Sequence, residues 1–132
     1  MKKILTYLGI VFAIWITTQN APAQKATELF IPIGKSPGIS GKCSMMGIID
    51  SVDTSKHLVY MHDSTGYGYD VEIGDETKIY LDKSGLKQRN EVGSIADCDK
   101  GAYCEVLYES RTRKKSGEAE WIKIRITADM EK

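Results

Sequence analysis

A mainly-β fold, a small antiparallel barrel of five or six strands, follows from three observations. Short runs rich in Val, Ile, Tyr and Thr alternate with period two. Clusters of Gly, Asp, Ser and Thr separate them at nearly regular spacing, and no stretch carries the apolar stripe of a long amphipathic helix. Met46–Val52 and His57–His62 read as a hairpin about the turn 53–56. Tyr67–Ile73 is a third strand, with Tyr69, Val71 and Ile73 on one face, and Thr77–Leu81 is a fourth, with Ile79 and Leu81 together. Residues 82–101 lose the alternation and read as a loop with one short helical turn near Val92–Ala96. Ala102–Glu109 alternates again, with Ala102, Cys104, Val106 and Tyr108 sharing a face. Arg111–Gly117 reads as an exposed loop, and Glu118–Thr127 closes the set, Ile122, Ile124 and Ile126 facing in and Lys123 and Arg125 facing out. The expected core is Ile49, Val52, Leu58, Tyr60, Val71, Ile79, Val106, Ile122 and Ile124. Closure also removes the exposed edges that a sheet must otherwise protect.

Two segments precede the strands. Residues 1–23 have the layout of a secretory signal peptide: Lys2 and Lys3, a 13-residue apolar run from Ile4 to Ile16, then the small-x-small site Ala21-Pro22-Ala23. The run is shorter than the roughly 20 residues a spanning helix needs, so no membrane anchor is expected after cleavage. Residues 24–43 form an extended arm in which Pro32, Pro37 and glycines at 34, 38 and 41 exclude a helix or a long strand. Leu29, Phe30, Ile31 and Ile33 make part of this arm apolar, so it is expected either to lie across the barrel or to engage a partner. The domain reading is therefore signal peptide 1–23, arm 24–43, barrel 44–127 and tail 128–132.

The punctuation of the strands resembles that of small exported bacterial OB-like β-barrel domains of unknown function. The likeness lies in Gly47-Ile48-Ile49-Asp50-Ser51-Val52-Asp53, then Leu58-Val59-Tyr60, Thr77-Lys78-Ile79-Tyr80, Gly101 ahead of Glu105-Val106, and Ala119 to Ile124. It spans about residues 44–127 and leaves the arm and the three cysteines outside the pattern. The resemblance implies a fold and export, and no activity.

The chain carries 18 basic and 18 acidic residues; loss of Lys2 and Lys3 with the leader leaves 16 against 18. Such a balance gives no general attraction for nucleic acid, so no nucleic-acid partner is expected despite the barrel's tyrosines. Export favours a disulfide. Cys98 and Cys104 flank a short turn and could close a loop, Cys43 could bridge to either, or all three could stay free. No C-x-x-C is present. Gly34-Lys35-Ser36 lacks the upstream Gly of a phosphate loop and is followed by Pro37. Met45, Met46, Met61, His57, His62 and Cys43 are soft donors, which raises copper handling as a third reading. Their strand spacing is poor for a single ion, so no metal or other cofactor is assigned. The acidic residues Asp70, Glu72, Asp75, Glu76 and Asp82 lack a calcium-loop pattern and read as solvated strand faces and turns. No G-x-S-x-G occurs, and the two histidines lie five residues apart.

The functional expectation is a non-enzymatic binding module of the periplasm or cell exterior, monomeric or part of an assembly. Its partner would be an envelope protein, a polymer or a small ligand. The alternative is an accessory subunit of an envelope or extracellular assembly that uses the 29–33 arm. Candidate binding residues are Arg111, Arg113, Lys114 and Lys115 in the basic loop, and Leu29, Phe30, Ile31 and Ile33 in the arm. The mature N-terminus is expected at Gln24; intact-mass spectrometry of the exported protein checks this, and retention of Lys2 and Lys3 would refute it.

Overall fold

The sequence alternation resolves into seven strands in a computed structural model that describes residues 28–36, 44–108 and 116–131. They are β1 (Ser44–Asp53), β2 (Leu58–His62), β3 (Gly68–Glu72), β4 (Lys78–Asp82), β5 (Glu91–Val92), β6 (Tyr103–Tyr108) and β7 (Ser116–Arg125). Neighbours run in the order β3-β2-β1-β6-β7-β4-β5, and β3 pairs again with β7. That last pairing closes five strands, β1-β2-β3-β7-β6, into a barrel with OB-like connectivity. β7 is bordered by β6 along one edge. Its other edge takes β3 in parallel over Ser116–Glu118 and then β4 in parallel over Trp121–Arg125. The residues of the expected signal peptide lie outside the described ones, and among the described residues no helix is long and apolar enough to cross a membrane.

The strands agree with the sequence reading to within about two residues at each end. The loop between β4 and β6 holds the short strand β5 and two 3₁₀ turns, Ser84–Leu86 and Ile95–Asp97, where one helical turn was expected; a third closes the chain at Ala128–Met130. Ser94 and Asp97 cap the second turn reciprocally, the Ser94 N–H donating to Asp97 Oδ2 at 2.8 Å.

The barrel interior is filled by Ile49, Val59, Met61, Val71, Val106, Ile122 and Ile124, each at most 1% exposed. Six of the nine expected core residues are buried or nearly so, but β2 presents the opposite face from the one expected. Val59 and Met61 point inward, while Leu58 and Tyr60 are half-buried outside. The cause is register: Ile49 pairs with Met61, and Val59 pairs with Val71 on the other side. A bulge between Ile49 and Ser51 adds a residue to β1, so Ile49 and Val52, three positions apart, both reach the core. His57, expected on β2, instead occupies the preceding turn at φ 53°.

Gly47 marks a close backbone approach. A Cβ there would collide with the His62 carbonyl and lie 2.8 Å from Met61 Cε, so only glycine lets β2 cross at this point. Truncating Ile124, fully buried on β7, should lower stability by about 2–5 kcal/mol through lost transfer energy and the cavity left behind. Chemical denaturation of Ile124→Ala measures this, and a loss below about 1 kcal/mol would mean the inner face of β7 is misassigned.

Candidate functional site

Part of the arm is a strap on the barrel. Residues 28–36 make two tight turns, with the Ile31 N–H donating to Glu28 O at 3.2 Å and the Lys35 N–H to Pro32 O at 3.1 Å. The strap crosses the outer face of β4, β7 and β6. Its backbone is read by side chains: the Ile33 N–H donates to Asp82 Oδ2 at 2.9 Å, and the Gly34 N–H to Glu105 Oε1 at 3.1 Å. Asn90 Nδ2 donates to the Leu29 carbonyl at 3.0 Å, while Asn90 Oδ1 accepts from the Lys83 N–H. Prolines and glycines prevent the strap from pairing as a strand, and these carboxylates satisfy donors that a strand ladder would have taken.

Beneath the strap lies an ammonium group. Lys123 is 1% exposed, though its position on β7 faces outward. Its Nζ donates to Glu28 Oε1 at 2.6 Å and to Ser36 Oγ at 3.0 Å, and lies 4.4 Å from the centre of the Trp121 ring. Ser36 Oγ in turn donates to Glu28 Oε1 at 2.5 Å. The two ends of the strap, Glu28 and Ser36, thus close on one cation. Burial is the chief influence raising the Glu105 carboxyl above its ordinary value, opposed by the Gly34 hydrogen bond and the Lys123 charge. At Asp82 burial works in the same direction but loses. The hydrogen bonds from Ile33 and Ser84, with the Arg125 charge, hold its carboxyl below the ordinary range. Tyr80, under the same strap, is raised mainly by burial and then by Glu28 and Glu120.

The apolar arm residues divide. Ile33 is buried, Leu29 and Ile31 are half-buried, and Phe30 stays 50% exposed beneath the Arg89 guanidinium, 5.4 Å from its ring centre. Asp82, read from sequence as part of a solvated face, is 4% exposed, because the strap covers it. Arg111, Arg113, Lys114 and Lys115 lie outside the described residues, as does Cys43. Cys98 and Cys104 are buried and unbridged, so the short loop closure considered above is not formed. Burial pushes both thiols up to about 12, and Cys104 Sγ contacts Met61 Sδ at 3.8 Å. Glu28, Ser36, Asn90, Glu105 and Lys123 did not stand out in the sequence. The one local hint was a lysine enclosed by Trp121, Ile122 and Ile124.

The adjoining outer face, where β1 meets β2 and β6, is open. A groove of about 780 Å³ is lined there by Met46, Ile48, His62, Asp63 and Tyr103 among others. His62 Nδ1 shares a 2.6 Å hydrogen bond with Asp50 Oδ1, which fixes the imidazole. Arg125 stacks 4.6 Å from the centre of the Tyr103 ring. Of the soft donors, Met61 is in the core, and Met46 and His62 line this groove together with Met45, which is itself 4% exposed. Among the described residues no group of three or more His, Cys, Asp or Glu is placed to hold a metal ion.

No family model matches the sequence, and no curated protein matches it. Two solved structures are similar in fold. One is silver-bound CusF, at 12% identity and a TM-score of 0.41, covering 62% of this chain and 95% of that one. The other is a tryptophan-to-alanine variant of CusF from Escherichia coli with Cu(II), at 12% identity and 0.40, covering 61% and 88%. Neither likeness assigns a role to a residue here.

The carboxyl of Glu105 gives a test with a defined sign. Its raised value means that its contribution to stability is fully present below the ordinary 4.5 and is lost as pH rises through the folded-state value. Asp82, lowered from 3.8, contributes above that value and loses its contribution as pH falls through the folded-state value. Glu105→Gln keeps an acceptor for the Gly34 N–H and carries no charge. Its Tm relative to the parent should therefore climb between about pH 4 and pH 7. Paired thermal melts measure this, and a flat or falling difference would contradict the burial of a charged Glu105.

Proposed function

We propose that the chain is an exported, non-catalytic binding module of the periplasm or cell exterior. Its ligand surface is the open face where β1, β2 and β6 meet. The groove carries the reading. Small-molecule sites combine apolar or aromatic walls with a few oriented polar groups. Met46, Ile48 and Tyr103 supply walls, while the His62 imidazole braced by Asp50 supplies a polar group; the Asp63 carboxylate beside it is taken up by Thr65, Tyr67 and Tyr69. The neighbouring outer face is already occupied by the strap. Ser36 does lie beside an amine, but Lys123 is 1% exposed and bound to Glu28, which supports a latch rather than a nucleophile and base open to substrate.

Copper handling is the second reading. It is favoured by Met46 and His62 lining one groove with a carboxylate behind the imidazole, an arrangement that suits a ligating histidine. Burial of Met45 and Met61 leaves it few donors. A role as accessory subunit through the arm rests on Phe30, the strap's most exposed apolar side chain.

A thermal-shift screen of small molecules, envelope-polymer fragments and soft metal ions tests the groove. A ligand that raises the parent's Tm should bind at least about tenfold more weakly, roughly 1.4 kcal/mol, to both His62→Ala and Tyr103→Ala. Equal affinity in both variants would remove the groove from the reading. Stoichiometric copper in protein purified without chelating resin, lost in Met46→Ala, would promote the second reading.

A further inference from the structure

The strap is joined to the barrel in a way that leaves its docking site open to another chain. The side-chain hydrogen bonds that tie it to the barrel are made to residues remote in sequence, from 49 positions away at Asp82 to 95 at Lys123. Among the described residues these hydrogen bonds lie on β4, β6, β7 and Asn90, while Gly34 also sits close to Met46 Sδ on β1, the strand that follows the strap. The two are separated by residues 37–43, Pro-Gly-Ile-Ser-Gly-Lys-Cys, a stretch that can reach at most about 25 Å. The barrel's core cluster contains no strap residue, so the barrel closes by its own strand pairing. What the strap supplies is one buried apolar side chain, Ile33, and a set of polar contacts.

The groove beneath reads a defined chemistry. It takes a glutamate at Lys123, a carbonyl at Asn90, and two successive backbone N–H groups, five and six residues after the glutamate, at Asp82 and Glu105. A second copy of this chain carries that segment by construction. The covered face also suits exposure. Lys123, Glu105 and Asp82 would be solvated without cost once uncovered, whereas a well-packed apolar interface of similar volume is often as stable or more so. Exchange of an identical element between copies costs little when the element's contacts are reproduced.

We infer that the β4–β7–β6 face is an interaction surface for residues 28–36 of a second copy, and that two chains can pair by reciprocal exchange of straps. In the parent protein a tether this short gives the internal contact a roughly millimolar effective concentration, so chains close on themselves when dilute. The inference is independent of the groove at Met46 and His62.

Full-length charge-reversed variants test it. Glu28→Lys places two cations together within one chain, and Lys123→Glu places two carboxylates together. Between copies, however, each strap of the mixed pair meets a groove of opposite charge. Native mass spectrometry of a 1:1 mixture co-refolded at about 100 μM, below the tether's millimolar range, should show a heterodimer absent from either variant alone. The double variant E28K/K123E, complementary within one chain, should be a folded monomer. Should either single variant fail to fold alone, recovery of folded heterodimer on co-refolding supports exchange, and aggregation without it overturns it. A mixture that folds but stays monomeric overturns it as well.

Discussion

β7 has to be paired on both edges, and the architecture is built around that requirement. β6 takes one edge. The other is too long for β3 alone, so β3 covers its first part and β4 its second, both in parallel. The β3 contact closes the barrel. The β4 contact extends the sheet past closure and creates a second outer surface beside it. Ile122 and Ile124 bury the inner face of β7, and Trp121 and Lys123 are left on the outer one. A bulge opposite Leu107 and Tyr108 sets which residues fall on each side.

That outer surface presents the main electrostatic difficulty. An ammonium at Lys123 and carboxylates at Glu105 and Asp82 are covered by nine residues of strap, and desolvated charge is costly unless paired. Pairing is nearly complete. Glu28 and Ser36 meet the ammonium, the Trp121 ring faces it, and strap N–H groups reach both carboxylates. Of the two carboxylates Glu105 is the less satisfied, since burial still raises it while hydrogen bonds hold Asp82 down. Such a contact is specific without being strongly apolar. The open face on the other side of β6 carries apolar and aromatic groups, Met46, Ile48 and Tyr103, that no strap covers.

Much of this was legible in the chain. Period-two alternation located six of the seven strands, and the inner faces of β3, β4, β6 and β7 followed directly, because a strand places alternate residues on opposite sides. β5 escaped notice because two residues carry no period. The face of β2 was misread because a bulge in a neighbouring strand shifts register, and no local signal within His57–His62 records it. Burial of Lys123 and Asp82 was equally invisible: alternation assigns Lys123 correctly to the outside and Asp82 reads as solvated, but whether an outside is wet depends on what lies over it. Local patterning was enough for the class of fold, the positions of six strands along the chain and the presence of a Pro/Gly-rich apolar arm, all properties of neighbouring residues. Long-range packing settles that Cys98 and Cys104 stay apart as thiols, that residues 28–36 lie on the β4–β7–β6 face, and that three charged groups are sealed beneath them. Those outcomes depend on contacts between residues up to 95 positions apart, and local patterning does not encode such distances.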